Sequence, residues 1–295
     1  MIHRFLLKMI FTPNKFGSIA NVASHLLLSL GLLVYICPEY RKMIYHYNKT
    51  PIFYNIAGEG PVLVLLHGFL ESSNMWSKLV PTLSKNRKIL TIDLPGHGKS
   101  ECIAPIHSME DMANVVYALL NHLQIEKASI MGHSMGGYVA LALLEAHEHI
   151  LEEFTLLNST TRADTCEQKR NRDRGARIVS ENKKAFIGNI INLLFVQSSH
   201  QQYTSEIATL KKEAMNFPIE GILAAIQGMK NRPDRTKVLK NFNRNKIIIC
   251  GDDDPVVPFS ISKEISKVTD SKLITLLGGH MSWIENTEEL LKLYT

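Results

Sequence analysis

Cysteine is scarce in this sequence and widely scattered. Only four cysteines occur in 295 residues, and no two have C-x-x-C spacing: Cys37, Cys102, Cys166 and Cys250. This pattern predicts free thiols in a reducing compartment and excludes a disulfide framework. Histidine–cysteine clusters with metal-ligand spacing are also missing, so we expect no metal and no other cofactor.

A strong charge of one sign is missing as well. The formal net charge is only +5, and there is no basic arm or basic patch interleaved with aromatics. Nucleic acid is therefore not an expected partner. The 45% apolar content is enough for a sizeable core, and the length is within the range of one large enzyme domain. Neither property predicts an oligomeric state.

No apolar run is long enough to cross a membrane. Residues 26–37 form the main run, preceded by Arg4, Lys8 and Lys15. It is shorter than the roughly 20 residues a bilayer span needs, and no small-x-small cleavage site follows. We expect residues 1–42 to be a mis-assigned start or an extension, and the protein to be cytoplasmic. The alternative is a signal anchor, with membrane association only through residues 20–37.

The most informative stretch present is Gly132-His133-Ser134-Met135-Gly136, a G-x-S-x-G motif. A short apolar run precedes it and a strong helix-forming run follows it. A sharp strand–turn–helix in this position would hold the Ser134 hydroxyl out at the top of a sheet. The motif therefore predicts a nucleophilic serine.

A serine nucleophile needs a base, and the base needs a carboxylate. Residues 246–250 form a largely apolar run, which is followed by an acidic turn with Asp252, Asp253 and Asp254. Residues 273–277 form another run, which ends in Gly278-Gly279-His280. The order Ser, Asp, His, each just after a predicted strand, fits an acyl-transfer triad.

An oxyanion hole is also required, because charge develops on the carbonyl oxygen in the transition state. Residues 62–66 form an apolar run that leads into His67-Gly68-Phe69. The backbone N–H groups of Phe69 and Met135 are the candidate donors.

Five segments in order carry a resemblance to the α/β-hydrolase superfamily: residues 66–69, 93–100, 132–137, 251–258 and 279–280. The resemblance covers residues 43–295. It implies an α/β fold with a mostly parallel eight-stranded sheet flanked by helices. It also implies that Ser134 is the nucleophile, His280 the base, and Asp254, before Pro-Val-Val-Pro, the acid. Phe69 and Met135 match the oxyanion positions.

Alternating strand and helix patterns fit this fold until residue 158, where the alternation stops for some 80 residues. In the superfamily a helical cap is inserted at this position, and we expect one at about 159–237. Residues 185–195 and 222–226 predict an apolar underside for it. Residues 161–184 are rich in Arg and Lys, including Arg162, Arg172, Arg174 and Lys183. One or two of these would bind a carboxylate or a phosphopantetheine-like group, or all would form a solvated helix face.

The expected activity is hydrolysis of a carboxylic ester of a small, partly apolar molecule through an acyl-enzyme. Tyr138, His67 and His133 are candidate pocket residues. A C–C lyase or hydrolase of the menaquinone-pathway or meta-cleavage type is an alternative. The menaquinone-pathway lyase has an arginine at the position of Tyr138, so the resemblance to it is weaker. A non-enzymatic ligand-binding receptor and a membrane-anchored scaffold also stay open at this point.

Overall fold

The computed structural model of the protein describes residues 41–295. Residues 1–40 of the predicted N-terminal extension lie outside the described residues. They include the apolar run at 26–37 and Cys37. Among the helices of residues 41–295, none has the length and apolarity needed to cross a bilayer.

The centre of the fold is one eight-stranded sheet, with strand order β1-β2-β4-β3-β5-β6-β7-β8. The strands are β1 Arg41–Tyr47, β2 Thr50–Ala57, β3 Val62–Leu66, β4 Lys88–Ile92, β5 Ala128–His133, β6 Leu151–Leu157, β7 Asn245–Gly251 and β8 Lys272–Leu276. β1 and β2 form an antiparallel hairpin, and β2 is antiparallel to β4. From β4 to β8 every pairing is parallel. The predicted α/β class with a mostly parallel sheet is confirmed.

Both faces of the sheet are buried, as a parallel sheet requires. Along β3, Val64 and Leu66 pack into one hydrophobic core, whereas Leu63 and Leu65 pack into another on the opposite face. The first core includes helix residues such as Val116 and Val139, and the second includes Trp76. Burying one such side chain contributes about 1.5–3 kcal/mol, so these two cores supply much of the driving force for folding.

Within residues 41–295, six α-helices outside the β6–β7 connection accompany the sheet. They are α1 Val80–Leu83, α2 Met109–His122, α3 Met135–His147, α9 Phe259–Thr269, α10 Ser282–Glu285 and α11 Thr287–Tyr294. Short 3₁₀ segments lie at Ser73–Lys78, Glu148–Ile150 and Gln197–Ser199. Ser108 caps the N-terminus of α2, because its hydroxyl accepts from the backbone N–H of Asp111 at 3.0 Å.

Five further helices lie between β6 and β7, and we call them the helical insertion. They are α4 Cys166–Glu181, α5 Lys183–Leu193, α6 Thr204–Ala214, α7 Ile219–Asn231 and α8 Thr236–Asn241. The insertion is predicted at about 159–237, and its last helix ends at Asn241, four residues beyond that range. Thr165 and Gln168 form a capping box that begins α4.

The helical insertion is fastened to the sheet domain by backbone contacts. Gly96 and Gly221 approach so closely that a Cβ on Gly221 would lie 2.4 Å from the Gly96 carbonyl oxygen. His107 donates its backbone N–H to Ala224 O at 3.1 Å, and His280 donates its backbone N–H to Leu194 O at 3.1 Å. The insertion therefore packs directly on the loop that carries His280.

Candidate active site

Ser134 lies at a strained turn between β5 and α3. Its backbone has φ 48° and ψ −114°, a conformation that costs an L-residue about 1–3 kcal/mol. Gly132 and Gly136 make the turn possible, since a Cβ on either would lie 2.4 Å from a backbone oxygen. Ser134 donates its N–H to Leu157 O at 3.0 Å, which ties the turn to the end of β6.

The structure brings the three predicted triad residues together. His280 Nε2 lies 2.9 Å from Ser134 Oγ, and its Nδ1 lies 2.8 Å from Asp254 Oδ2. His280 and Asp254 are buried. Because Asp254 presents only acceptors when ionised, the Nδ1–H tautomer of His280 satisfies this arrangement and directs the Nε2 lone pair at Ser134.

Asp254 is surrounded by donors. Its Oδ1 accepts from the backbone N–H groups of Val256 at 2.8 Å and Val257 at 2.9 Å. Its Oδ2 accepts from Asn158 Nδ2 at 3.0 Å. Burial opposes ionisation, but His280 and these hydrogen bonds outweigh it, so the pKa of Asp254 lies below its usual value. Asp254 is therefore a carboxylate at neutral pH.

The predicted oxyanion residues lie on two adjoining segments. Met135 is the first residue of α3, where backbone N–H groups have no partner within the helix. A Cβ on Gly136 would lie 2.4 Å from Leu66 O, so the start of α3 is in contact with the end of β3. A Cβ on Gly68 would lie 3.2 Å from Ser134 Cβ, which places the loop of Gly68 and Phe69 beside the serine.

A buried pair, Glu71 and His133, holds this loop. Glu71 Oε2 accepts from His133 Nδ1 at 2.8 Å and from the N–H of Gly68 at 2.6 Å. His133 Nε2 lies 3.0 Å from His280 O, so both ring nitrogens face acceptors and both must carry protons. Burial alone would lower the pKa of His133, but the Glu71 carboxylate more than offsets this and raises it. Burial raises the pKa of Glu71, but His133 more than offsets this effect and lowers the pKa below its usual value.

Glu71→Gln is expected to destabilise the protein by about 3 kcal/mol near pH 5.5, because it leaves a buried imidazolium without its counter-ion. The lowered pKa of Glu71 contributes stability above the unfolded value of about 4.3, which is lost as pH falls through the folded value. The raised pKa of His133 contributes stability below about 6.5, which is lost as pH rises through the folded value. The difference in unfolding free energy between wild type and variant, measured by urea unfolding, should therefore be largest between about pH 4.3 and pH 6.5. A difference that grows from pH 5 to pH 9 would contradict the ion pair.

A cavity of about 350 Å³ lies over Ser134 and His280. The helical insertion contributes most of its apolar wall: Phe186, Ile190, Leu193, Leu194, Ile226 and Met229. α4 contributes a more polar wall with Gln168, Asn171 and Arg172. The predicted pocket residues Tyr138 and His133 line the cavity, as does Phe69.

His67 does not line this cavity, contrary to the prediction. Its ring is fully buried beneath the loop, with Nδ1 donating to Gly68 O and Nε2 accepting from the N–H of Leu94, both at 2.8 Å. Burial lowers its pKa, and the two bonds define a neutral tautomer. His67 therefore shapes the loop from behind instead of contacting a ligand.

A comparison with known families adds to this geometry. Residues 61–287 match the family model described as the alpha/beta hydrolase fold. The chain belongs to the α/β-hydrolase family. This match covers the whole sheet from β3 onward, the helical insertion and all the residues of the candidate active site.

Individual relatives of this α/β hydrolase include esterases and other hydrolases. The structure of a thermophilic esterase from Thermogutta terrifontis, with malate bound, superposes with a TM-score of 0.80 and 27% identity, covering 86% of this chain and 96% of that one. An uncharacterized hydrolase of Bacillus subtilis is 26% identical over 74% of this chain and 83% of its own. The acetyltransferase component of the acetoin-cleaving system of Pseudomonas putida is 27% identical over 81% of this chain. The chain spans 64% of that protein's length.

Two polar residues of the hydrolase's site were missed by sequence reasoning. Glu71 follows Gly68 by three positions, and Asn158 directly follows β6 with φ 46°. A polar residue just after a central strand is the signal that could have found Asn158. Among residues 41–295, no group of three or more His, Cys, Asp or Glu side chains is placed to hold a metal ion. Cys102, Cys166 and Cys250 are free thiols.

Proposed function

We propose that this α/β hydrolase cleaves a carboxylic ester of a small, partly apolar molecule, with Ser134 as nucleophile. The observation that carries the proposal is the position of His280, hydrogen-bonded to Ser134 Oγ at 2.9 Å and to Asp254 at 2.8 Å. In this arrangement a base is within reach of the serine proton, and a carboxylate fixes the tautomer of the base.

Acylation begins when Ser134 Oγ attacks the ester carbonyl carbon. His280 Nε2 takes the hydroxyl proton, and Asp254 stabilises the resulting imidazolium. The backbone N–H groups of Phe69 and Met135 stabilise the oxyanion. The tetrahedral intermediate then collapses, the C–O bond to the alcohol breaks, and His280 returns the proton to the leaving alkoxide.

Deacylation repeats these steps with water. His280 Nε2 takes a proton from the water molecule that attacks the acyl carbon, and then gives the proton to Ser134 Oγ as the acid leaves. The Glu71–His133 pair has a positioning role, because it holds the Gly68 N–H and the carbonyl of His280 while both steps take place.

The size and lining of the cavity support a small substrate. Its volume of about 350 Å³ is at the lower end of the range for small-molecule sites, about 300–1,000 Å³. The apolar wall suits an acyl or ring portion. The relationship to the Thermogutta esterase favours an ester over the C–C lyase, C–C hydrolase and receptor alternatives.

A ladder of 4-nitrophenyl esters from acetate to decanoate tests this proposal. We expect turnover of the short and middle members and a fall in kcat/KM for the longest chains, because the cavity cannot enclose them. Release of 4-nitrophenolate is the readout, and a circular dichroism spectrum checks folding. Absence of turnover along the whole ladder by folded protein would refute the ester proposal, and the C–C bond substrates and binding assays would then be tested.

A further inference from the structure

One charged side chain of the helical insertion faces the cavity above Ser134. Arg172 lies on α4 beside Gln168, Asn171 and Gly175, which the helical repeat places on the same face. All four residues line the cavity. The Arg172 side chain is 27% exposed, so it is partly accessible while the rest of it packs against protein.

A buried carboxylate, that of Asp164, fixes the orientation of the Arg172 side chain. Its Nε donates to Asp164 Oδ2 at 3.1 Å, and the Asp164 side chain is 1% exposed. The other oxygen of Asp164 is 2.6 Å from Nη1 of Arg232. One buried carboxylate is therefore shared by two guanidinium groups, and the cluster of Asp164, Arg172 and Arg232 carries one net positive charge.

The two arginines differ in how many guanidinium N–H donors are left to bind a ligand. Arg232 stacks on the Tyr138 ring at 3.9 Å and also donates to the carbonyl oxygens of Arg162 and Met229. Arg172 uses only Nε, and within residues 41–295 its two terminal nitrogens have no hydrogen-bond partner. The uncompensated charge of the cluster is therefore presented to the cavity by the Nη groups of Arg172.

We propose that Arg172 anchors a carboxylate of the substrate, so that the natural substrate is an ester that also bears a carboxylate group remote from the scissile bond. This inference rests on the proposed ester hydrolysis. A planar guanidinium with two free nitrogens matches the two oxygens of a carboxylate. A single net charge matches a monoanion, whereas a phosphate dianion would leave one charge uncompensated. The apolar wall opposite receives the carbon chain between the ester and the carboxylate.

The other basic side chains near α4 do not serve this purpose. Arg162 pairs with Glu264 at 2.5 Å, and Lys183 donates to the carbonyl oxygens of Met215 and Phe217. Arg170, Arg174 and Arg177 are exposed and are not among the cavity residues. Arg174 is therefore a matched control on the same helix.

Two pairs of esters test the inference, each with a carboxylate in only one member. Mono-4-nitrophenyl adipate is compared with 4-nitrophenyl hexanoate, and 4-acetoxybenzoate is compared with its methyl ester. We expect wild type to prefer the anionic member of at least one pair. Arg172→Gln should lower kcat/KM for that anionic ester by about tenfold or more, and change the neutral partner less than about threefold, because only the charge-assisted contact is lost. Arg174→Gln should change neither ester.

Equal losses on both members of a pair, or no anionic preference in either pair, would overturn the inference while leaving ester hydrolysis intact. Calorimetric binding of monomethyl adipate, a monoanion that resembles the proposed substrate, to Ser134→Ala protein, with and without Arg172→Gln, gives a readout that does not need turnover. We expect Arg172→Gln to weaken monomethyl adipate binding about tenfold. Unchanged binding of this monoester, or tighter binding of inorganic phosphate than of the monoester, would refute the carboxylate assignment even if no ester were cleaved.

Discussion

Ser134→Ala is expected to lower kcat for 4-nitrophenyl esters by about 10⁴-fold or more. The substitution removes the proposed nucleophile, so no acyl-enzyme could form, while His280, Asp254 and the backbone of Phe69 and Met135 remain in place. The Ser134 hydroxyl makes one hydrogen bond, to His280, so its loss should change folding little. The measurement is steady-state release of 4-nitrophenolate, alongside urea unfolding of the same preparation.

Ser134→Gly is the informative second variant. It should be as inactive as Ser134→Ala, but more stable than wild type by about 1 kcal/mol, since glycine tolerates the left-handed backbone at φ 48°. Greater stability together with lost activity would show that the strained turn is maintained for the reaction. Residual activity within about tenfold of wild type in either variant would rule out Ser134 as the nucleophile.

Asp254→Asn is expected to lower kcat by about 10³- to 10⁴-fold without unfolding the protein. The asparagine oxygen would accept from the Val256 and Val257 N–H groups, which turns its amide NH₂ toward His280 Nδ1. His280 would then carry its proton on Nε2, the nitrogen that must accept from Ser134. The loss should appear in kcat more than in KM, because Asp254 does not line the cavity.

Asp253→Asn is the matched control for this prediction. Asp253 is adjacent in sequence, and its side chain is exposed on the turn after β7. We expect its substitution to change kcat by less than about threefold, since it removes one exposed charge that has no contact with His280. Equal losses from Asp253→Asn and Asp254→Asn would contradict the assignment of the acid.

Much of the fold and the triad could be predicted because the signals are local. Ser134, Asp254 and His280 each follow an apolar strand at a turn rich in glycine or aspartate, and parallel strands bring such turns to one edge of the sheet. The start of β1 was harder to predict. This edge strand begins at Arg41, where charged residues interrupt the apolar pattern, and its extent is set by pairing with β2.

The remaining site residues depend on contacts between distant segments. Glu71 pairs with His133, which lies 62 positions away in sequence, and nothing near either residue indicates the pairing. Arg172 is one of several basic residues on α4, and the helical period alone cannot tell which face meets the cavity. The packing of the helical insertion decides that question. The position of His67 behind the loop depends on its hydrogen bonds to Gly68 and Leu94, the second of which lies 27 positions away.

Covalent trapping of Ser134 tests the central proposal most directly. Diethyl 4-nitrophenyl phosphate would form a bond from Ser134 Oγ to phosphorus and release 4-nitrophenolate as the leaving group. We expect one equivalent of 4-nitrophenolate per protein, loss of ester turnover, and one diethylphosphoryl adduct that fragmentation assigns to Ser134 within the tryptic peptide 128–162. Ser134→Ala should give neither burst nor adduct. Ester turnover that persists in fully labelled protein, or an adduct on another residue that abolishes turnover, would contradict the proposal.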